Sequence, residues 1–295
     1  MISREMRTRI ETLKKEYDSL KQDKESLLDL LFEVELPESV YNSNAIENST
    51  LTIHETEKIL LEMEVSRNVS VREVFEAKNL GRVFEYIQDK VSTKNIDRDL
   101  ILLLHQILIS NINDKIAGRF RTLGEYVRVG KHIAPAPEHV HQMITNALLE
   151  YSSNHTSYFL EKISKFHLEF EHVHPFCDGN GRIGRVLMNY QLLQLGFPPI
   201  IIRDKEKAVY YRSFTEYRES NKEKMKIMNR VLTMALIESF HKRIAYLKAD
   251  KIIRISQYAK NSGESHSILL NKAKRQTIPA FREKGVWKIG VPHSE

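Results

Sequence analysis

Apolar positions in the first part of the chain recur at helical spacing. Met6, Ile10, Leu13, Tyr17, Leu20, Leu27 and Leu31 fall on alternating steps of four and three, with Lys24 in the one polar slot. That pattern predicts one long helix with a heptad-like seam. Two readings of the seam stand side by side: a helix lying on its own domain, or a coiled coil that makes a homodimer. Pro37 is expected to end the helix, since the residue before a proline is pushed out of the helical region. Thr52-x-x-Glu55 and Ser70-x-x-Glu73 have the form of capping boxes and predict helices at about 53–64 and 71–90. Asp97 opens another through the run LILLLHQIL. From Gly118 to Pro137 the pattern changes to alternation, YVRVG followed by KHIAPAP, which predicts a short hairpin. Helices resume at about 138–152 and 158–172. In the second, Ile163, Phe166, Phe170 and Val173 share one face. A further helix at about 180–195 should end at Gly196 ahead of Pro198-Pro199, and two more fill 206–245. The main body is therefore read as all-α with a small hairpin.

Composition changes this picture in two places. There is one cysteine, Cys177, so no intrachain disulfide can form, and a reducing compartment, the cytoplasm, is expected. No segment reads as a secretory signal or a membrane span. The net charge of +6 is uneven. Residues 251–295 hold nine Lys/Arg against Glu264, Glu283 and Glu295, and the first 250 residues are neutral. A compact basic tail predicts an anionic partner. The chain is accordingly divided into an N-terminal helix at 1–35, a main domain at 36–250 and a separate module at 251–295.

The segment His174-Pro-Phe-Cys-Asp-Gly-Asn-Gly-Arg-Ile-Gly-Arg185 carries the chemistry. Gly179-Asn180-Gly181 lets successive backbone N–H groups point into one concavity, and a helix begins at once, so its positive end faces the same spot. Arg182 and Arg185 share a helix face and offer two forks for phosphate oxygens. Asp178 supplies a hard oxygen of the kind Mg²⁺ uses when phosphates and waters complete its shell. His174 can take a proton from an incoming hydroxyl near neutral pH. Together these parts describe transfer of a phosphorus group from a Mg²⁺-bound nucleotide. The letters Gly179 to Gly184 also fit G-x-G-x-x-G, with Asp204 about 20 residues on, but that fingerprint needs a preceding strand. The preceding segment here is an amphipathic helix. His167, His172 and His174 lack the H-E-x-x-H or cysteine partners of a zinc site.

At every fixed position this loop matches the pattern H-P-F-x-[D/E]-G-N-G-R-x-x-R, and the chain resembles the Fic family over roughly 36–245, including the approach Gly118-Arg-Phe-Arg121 to the hairpin. The resemblance implies a Fic-type helical domain with a β-hairpin flap, and an enzyme moving AMP from ATP to a Ser, Thr or Tyr hydroxyl of a target protein. It implies that His174 is the general base, that Phe176 anchors the loop, and that Asp178 holds Mg²⁺. Gly179, Asn180, Gly181, Arg182, Gly184 and Arg185 would bind the nucleotide, and Tyr211 would line its site. The hairpin at about 119–134 would be the flap that docks target backbone by strand addition. Ser43-Asn-Ala-Ile-Glu47-Asn48 fits the family's inhibitory pattern [ST]-x-x-x-E-[GN]. Ser43, Glu47 and Asn48 are thus implied to form a brake in which Glu47 pairs with Arg185 where the γ-phosphate belongs. In some relatives the same Glu helps remove AMP, so the reverse reaction stays open, as does a transferase using another phosphate-containing donor.

The tail resembles the winged helix-turn-helix of excisionase-like DNA binders. A helix from Ser256, a turn at Asn261-Ser-Gly263, a helix at 267–274, and a two-stranded wing from 276–282 and 285–289 carry the likeness. Its second helix offers few base-reading side chains beyond Asn271 and Lys272. DNA binding by a nucleotide-sensing regulator and a protein-contact role are both left open.

Overall fold

The computed structural model describes residues 1–65, 69–90, 95–219 and 224–292. The first helix, α1 (Arg4–Leu20), is capped by Ser3, whose hydroxyl accepts the Met6 N–H. The chain then turns through Asp23, at φ 59°, and α2 runs over Glu25–Ile46 with Pro37 inside it. Both the single long helix and the stop at Pro37 are therefore corrected. An interior proline removes one backbone bond, a cost of about 3 kcal/mol. Tertiary anchoring of the neighbouring residues outweighs it. Glu35 lies buried against Lys242 and Arg243, and Glu38 pairs with Arg203. The boundary drawn between 35 and 36 falls within this helix. The seam is spent inside the chain: Ile10 and Tyr17 are buried, and Met6, Leu13, Leu20 and Leu27 pack on the same apolar cluster. Tyr17 meets Phe240 edge-on at 5.7 Å.

After α3 (Ile53–Leu61), with the Thr52/Glu55 capping box in place, come α4 (Val71–Lys90) and α5 (Arg98–Ile109), which Asp97 caps at the Leu100 N–H. The flap reduces to two two-residue strands, β1 (Arg128–Val129) and β2 (His132–Ile133), paired antiparallel with Val129 opposite His132. Then follow α6 (Pro137–Ser153), α7 (Phe159–Val173) and α8 (Asn180–Gln194). Of the stretch 206–245, residues 220–223 lie outside the described residues. Around them, α9 covers Lys207–Glu219 and α10 covers Lys226–Leu247. Two apolar clusters meet along α7 and α8. Phe166, Phe170, Ile183 and Tyr190 belong to one, and Ile163, Met188 and Leu192 belong to the other. The loop between α7 and α8 is thus held from both sides.

The tail holds β3 (Lys251–Arg254), α11 (Ile255–Ser262), α12 (His266–Lys274), β4 (Ala280–Glu283) and β5 (Val286–Val291). Its sheet has the order β3-β5-β4, so a third strand, β3, joins the two that were expected. Ile253, Leu269, Ala273, Ala280 and Ile289 give it a core of its own. It is nevertheless riveted to the body. Arg282 of β4 pairs with Glu238 of α10, which also holds Arg203, and Lys284 reaches Glu57 of α3 at 2.7 Å.

The Glu35 pair yields a pH prediction. Burial acts to raise the Glu35 carboxyl, but Arg243 and then Lys242 overcome it and hold it at about 2. A depressed carboxylate contributes stability that is present above its unfolded value, about 4.5, and lost as pH falls through the folded one. Glu35→Gln is expected to lower Tm at neutral pH. It should also flatten the fall in Tm between about pH 4.5 and about pH 2. An unchanged acid limb in thermal melts would count against the assignment.

Candidate functional site

The site is assembled where α7 stops. His174 adopts φ 49°, ψ 63°, a left-handed conformation that a residue with a Cβ takes up only when its surroundings enforce it. Three groups do so. The His174 N–H donates to the Phe170 carbonyl at 2.9 Å. Pro175 accepts from the Arg121 N–H at 2.9 Å. The buried Arg121 guanidinium donates to the carbonyls of Val173, His174, Glu125 and Pro135, closing the end of α7 and tying it to the flap. Arg121 was visible in the sequence only as part of an approach motif.

Phe176 is fully buried and stacks on His105, rings 3.6 Å apart and 3° from parallel. His105 Nδ1 accepts the Gly118 N–H at 3.0 Å, so its proton sits on Nε2 and is donated to the Asp178 carbonyl at 3.1 Å. Burial lowers this imidazole to about 4, so it remains neutral and braces the loop. The Asn180 side chain spans the same turn: it accepts the Phe176 N–H and donates to the Phe176 carbonyl, each at 2.8 Å. Its amide is committed to closing the loop, leaving its backbone N–H for a ligand. Gly179, at φ 80°, begins α8. The positive φ favours glycine, and a Cβ there would crowd Leu108 Cδ2 at 3.0 Å and Ile109 Cδ1 at 3.1 Å.

These elements line a cavity of about 710 Å³. His174, Asp178, Gly179, Asn180, Gly181, Arg182, Arg185, Glu47, Asn48 and Tyr211 all border it. Gly184 does not. It faces α7, where a Cβ would come within 2.7 Å of Glu171 Oε1 and 2.8 Å of His167 Cε1. Ser43 also lies outside the lining and acts behind it, accepting from Arg185 Nε through its hydroxyl at 2.9 Å and from Nη2 through its carbonyl at 2.8 Å. The same Nη2 meets Glu47 Oε1 at 2.8 Å. Burial acts to lower the Arg185 guanidinium, but Glu47 outweighs it and keeps the group firmly protonated. Glu47 Oε1 would lie 2.2 Å from a Cβ at Gly181, so the carboxylate rests directly on the nest. Tyr211 donates its hydroxyl to the Ile46 carbonyl at 2.8 Å, and Lys207 donates to the Asn48 side chain at 3.2 Å.

Two residues absent from the sequence reading join the site from α4. Arg72 pairs with Asp178 Oδ2 and with Glu76. Arg182 bridges Glu76 at 3.2 Å and Asp178 Oδ1 at 3.2 Å. The result is a closed ring of four alternating charges around the carboxylate expected to hold Mg²⁺. One carboxylate fits a cation that takes most of its shell from phosphates and water. No cluster of three His, Cys, Asp or Glu suited to a metal occurs among the described residues. The spacing of Arg72 and Glu76 shows that they share a helix face, but nothing in it aims them at a loop a hundred residues away.

His174 itself is mostly buried. Its Nδ1 lies 3.3 Å from the Glu171 carbonyl, the only role there being donation, which leaves the Nε2 lone pair as the acceptor. Burial first, with Arg121 and His132 adding to it, lowers the ring to about 4, so it is neutral at physiological pH.

A helical body, a short flap and a glycine nest under a neutral histidine define a Fic-fold protein. Residues 95–192 match the family model described as Fic/DOC family. The chain is 33% identical over 177 residues to the "Protein adenylyltransferase Fic" of Nematostella vectensis, covering 58% of this chain and 41% of that one. It thus spans less than half the length of that relative. The solved structure of Fic-1 (aa134 - 508) from C. elegans superposes with a TM-score of 0.71 at 27% identity, covering 82% of this chain and 71% of the other. A Fic domain containing signaling protein from Bacteroides thetaiotaomicron shares the fold, with a TM-score of 0.74 at 23% identity over 82% of this chain and 97% of that one. No helix among the described residues is long and apolar enough to cross a membrane.

Proposed function

We propose that this chain is a protein adenylyltransferase that Glu47 holds in check. The observation that carries the reading is a neutral His174, its Nε2 free to accept, beside an anion nest whose Arg185 is gripped by Glu47. ATP would lie with its phosphates on the N–H groups of 180 and 181, since the Gly179 N–H is donated to Asp178 Oδ1 at 2.6 Å, and its terminal end at Arg185 and Arg182. The target hydroxyl oxygen attacks the α-phosphorus. The bond to the bridging oxygen breaks, pyrophosphate leaves, and the hydroxyl proton passes to His174 Nε2. Asp178 would hold Mg²⁺, which neutralises phosphate charge when bound. Arg72 and Arg182 keep that carboxylate oriented. The target strand would pair with the flap, where Val129 and Ile133 expose apolar side chains.

A second reading concerns the tail. Of its nine basic residues, Lys272, Arg282, Lys284 and Lys288 are ion-paired, whereas Lys251, Arg254, Lys260, Lys274 and Arg275 are exposed. Those five supply the charge that a phosphate-backbone contact needs, and they support DNA binding alongside the transferase.

The test uses Glu47→Gly protein, Mg²⁺, a cell lysate, and ATP labelled on either the α- or the γ-phosphate. Protein labelled from the α-position alone is the expected result. Label from the γ-position would assign phosphoryl transfer instead, and label from neither would remove ATP as donor.

A further inference from the structure

Glu171 lies one turn before His174 and has no part in the reaction as described. Its side chain is 10% exposed and its Oε2 lies 3.6 Å from His174 Nδ1. Its Oε1 is buried without a hydrogen-bond partner among the described residues, as is Nη1 of Arg185. Both residues line the same cavity, as does Glu47. A buried polar atom left unpaired costs about 1–3 kcal/mol. Oε1 lies against Gly184, whereas Oε2 lies towards His174, which borders the cavity, so the Glu171 carboxyl and the unpaired Nη1 of Arg185 offer polar groups to a ligand beside the position that Glu47 occupies. An anion that replaces Glu47 arrives at these groups.

Building on the adenylyl-transfer reading, we propose that Glu171 is a nucleotide-positioning residue: as a neutral carboxylic acid it donates its Oε–H to a terminal phosphate oxygen of ATP, alongside Arg185, once Glu47 has swung out.

The surroundings keep this carboxyl neutral. The groups that face it are Glu47 at the end of α2, His167 and His174 of its own segment, Arg185 of α8, and Tyr210 and Tyr211 of α9. Burial raises the Glu171 carboxyl most, Glu47 raises it further, and Arg185 opposes both, leaving it at about 8. Burial holds His167 at about 3 and His174 at about 4, so neither contributes a positive charge. Burial raises both tyrosines too, so their hydroxyls carry no charge near neutral pH. Phosphate in place of Glu47 brings at least as much negative charge and keeps the proton on. The sign matters: a carboxylate here would repel phosphate, whereas a carboxylic acid donates to it. Gly184 then acquires a reason that phosphate contact does not supply, because a Cβ at 184 would press to 2.7 Å on Glu171 Oε1.

The experiment measures ATP and AMP binding calorimetrically to Glu47→Gly/His174→Ala protein, with Glu171 retained or changed to Gln or Ala, between about pH 7 and about pH 9.5. Because binding and not transfer is read, the result stands even if the chain transfers something other than AMP. With Glu171 present, ATP affinity should fall about tenfold towards the alkaline end of this range as the proton leaves. Glu171→Gln, an isosteric neutral donor, should bind within about twofold of the parent at pH 7 and lose the alkaline fall. Glu171→Ala should bind about tenfold more weakly at pH 7, also without the fall. AMP, which lacks the terminal phosphates, should respond to neither change. A parent profile that stays flat, or an alkaline fall that survives in Glu171→Gln, would overturn the proposal. So would an equal loss of AMP binding, since that marks a merely structural role.

Discussion

His174→Ala is expected to reduce transfer by about 10²–10⁴-fold while leaving ATP binding nearly unchanged. The imidazole is a neutral base bordering the nest, and its tautomer is set by the Glu171 carbonyl rather than by the substrate. Removing it leaves the hydroxyl proton without an acceptor in the transition state, whereas the groups that grip phosphate stay in place. The ring sits at about 4 in the resting protein because burial disfavours its charge. Polyphosphate beside it favours the imidazolium and brings it closer to the working range. In rate measurements on Glu47→Gly protein, the acid limb should therefore lie above about 4, the resting value, and His174→Ala should abolish that limb along with the rate. A variant that retained its rate would remove the histidine from the chemistry.

Glu47→Gly should act in the opposite direction, raising transfer by about 10- to 100-fold. The contact it deletes is a charge-assisted bond to a buried guanidinium, of the class worth about 1.5–3 kcal/mol, and Arg185 then becomes available to the terminal phosphate. Ser43 continues to hold Arg185 through Nε and Nη2, so the arginine does not wander when its carboxylate partner is lost. The gain should appear with label from the α-phosphate and should be absent in the Glu47→Gly/His174→Ala double variant. Equal rates in wild type and Glu47→Gly would mean that the carboxylate is no brake.

The loop from His174 to Arg185 could be read from sequence because its parts are contiguous. A nest, a helix start and two arginines three residues apart are local geometry, which residue spacing determines. The helices were legible where capping boxes or a single apolar face mark them, as at Thr52 and at Phe166/Phe170. What escaped depends on distant partners. The run through Pro37 rests on Glu35 and Glu38 finding cations some 165 to 208 residues away. The ring of Arg72, Glu76, Arg182 and Asp178 joins two helices that only the tertiary fold brings together. The third strand of the tail sheet, Lys251–Arg254, offers four residues and one buried side chain, too short a stretch for alternation to show. Gly184 was assigned to nucleotide because the motif contains it, yet its neighbours are side chains of the preceding helix.

The same anchoring shapes how the brake can open. Glu47 follows directly on a helix fixed in its middle by buried ion pairs, and its own side chain is 37% exposed at the end of that helix. Sliding the helix would break contacts of a kind worth about 3–5 kcal/mol each, whereas rotating one glutamate breaks a single bond. On the reading proposed above, release is a matter of occupancy, set by the fraction of molecules whose Glu47 side chain is turned away. The apparent dissociation constant for productively seated ATP equals the intrinsic one divided by that fraction. A partner that favours the turned-away rotamer by about tenfold would tighten productive binding by up to the same factor, with every backbone atom of the helix where it was.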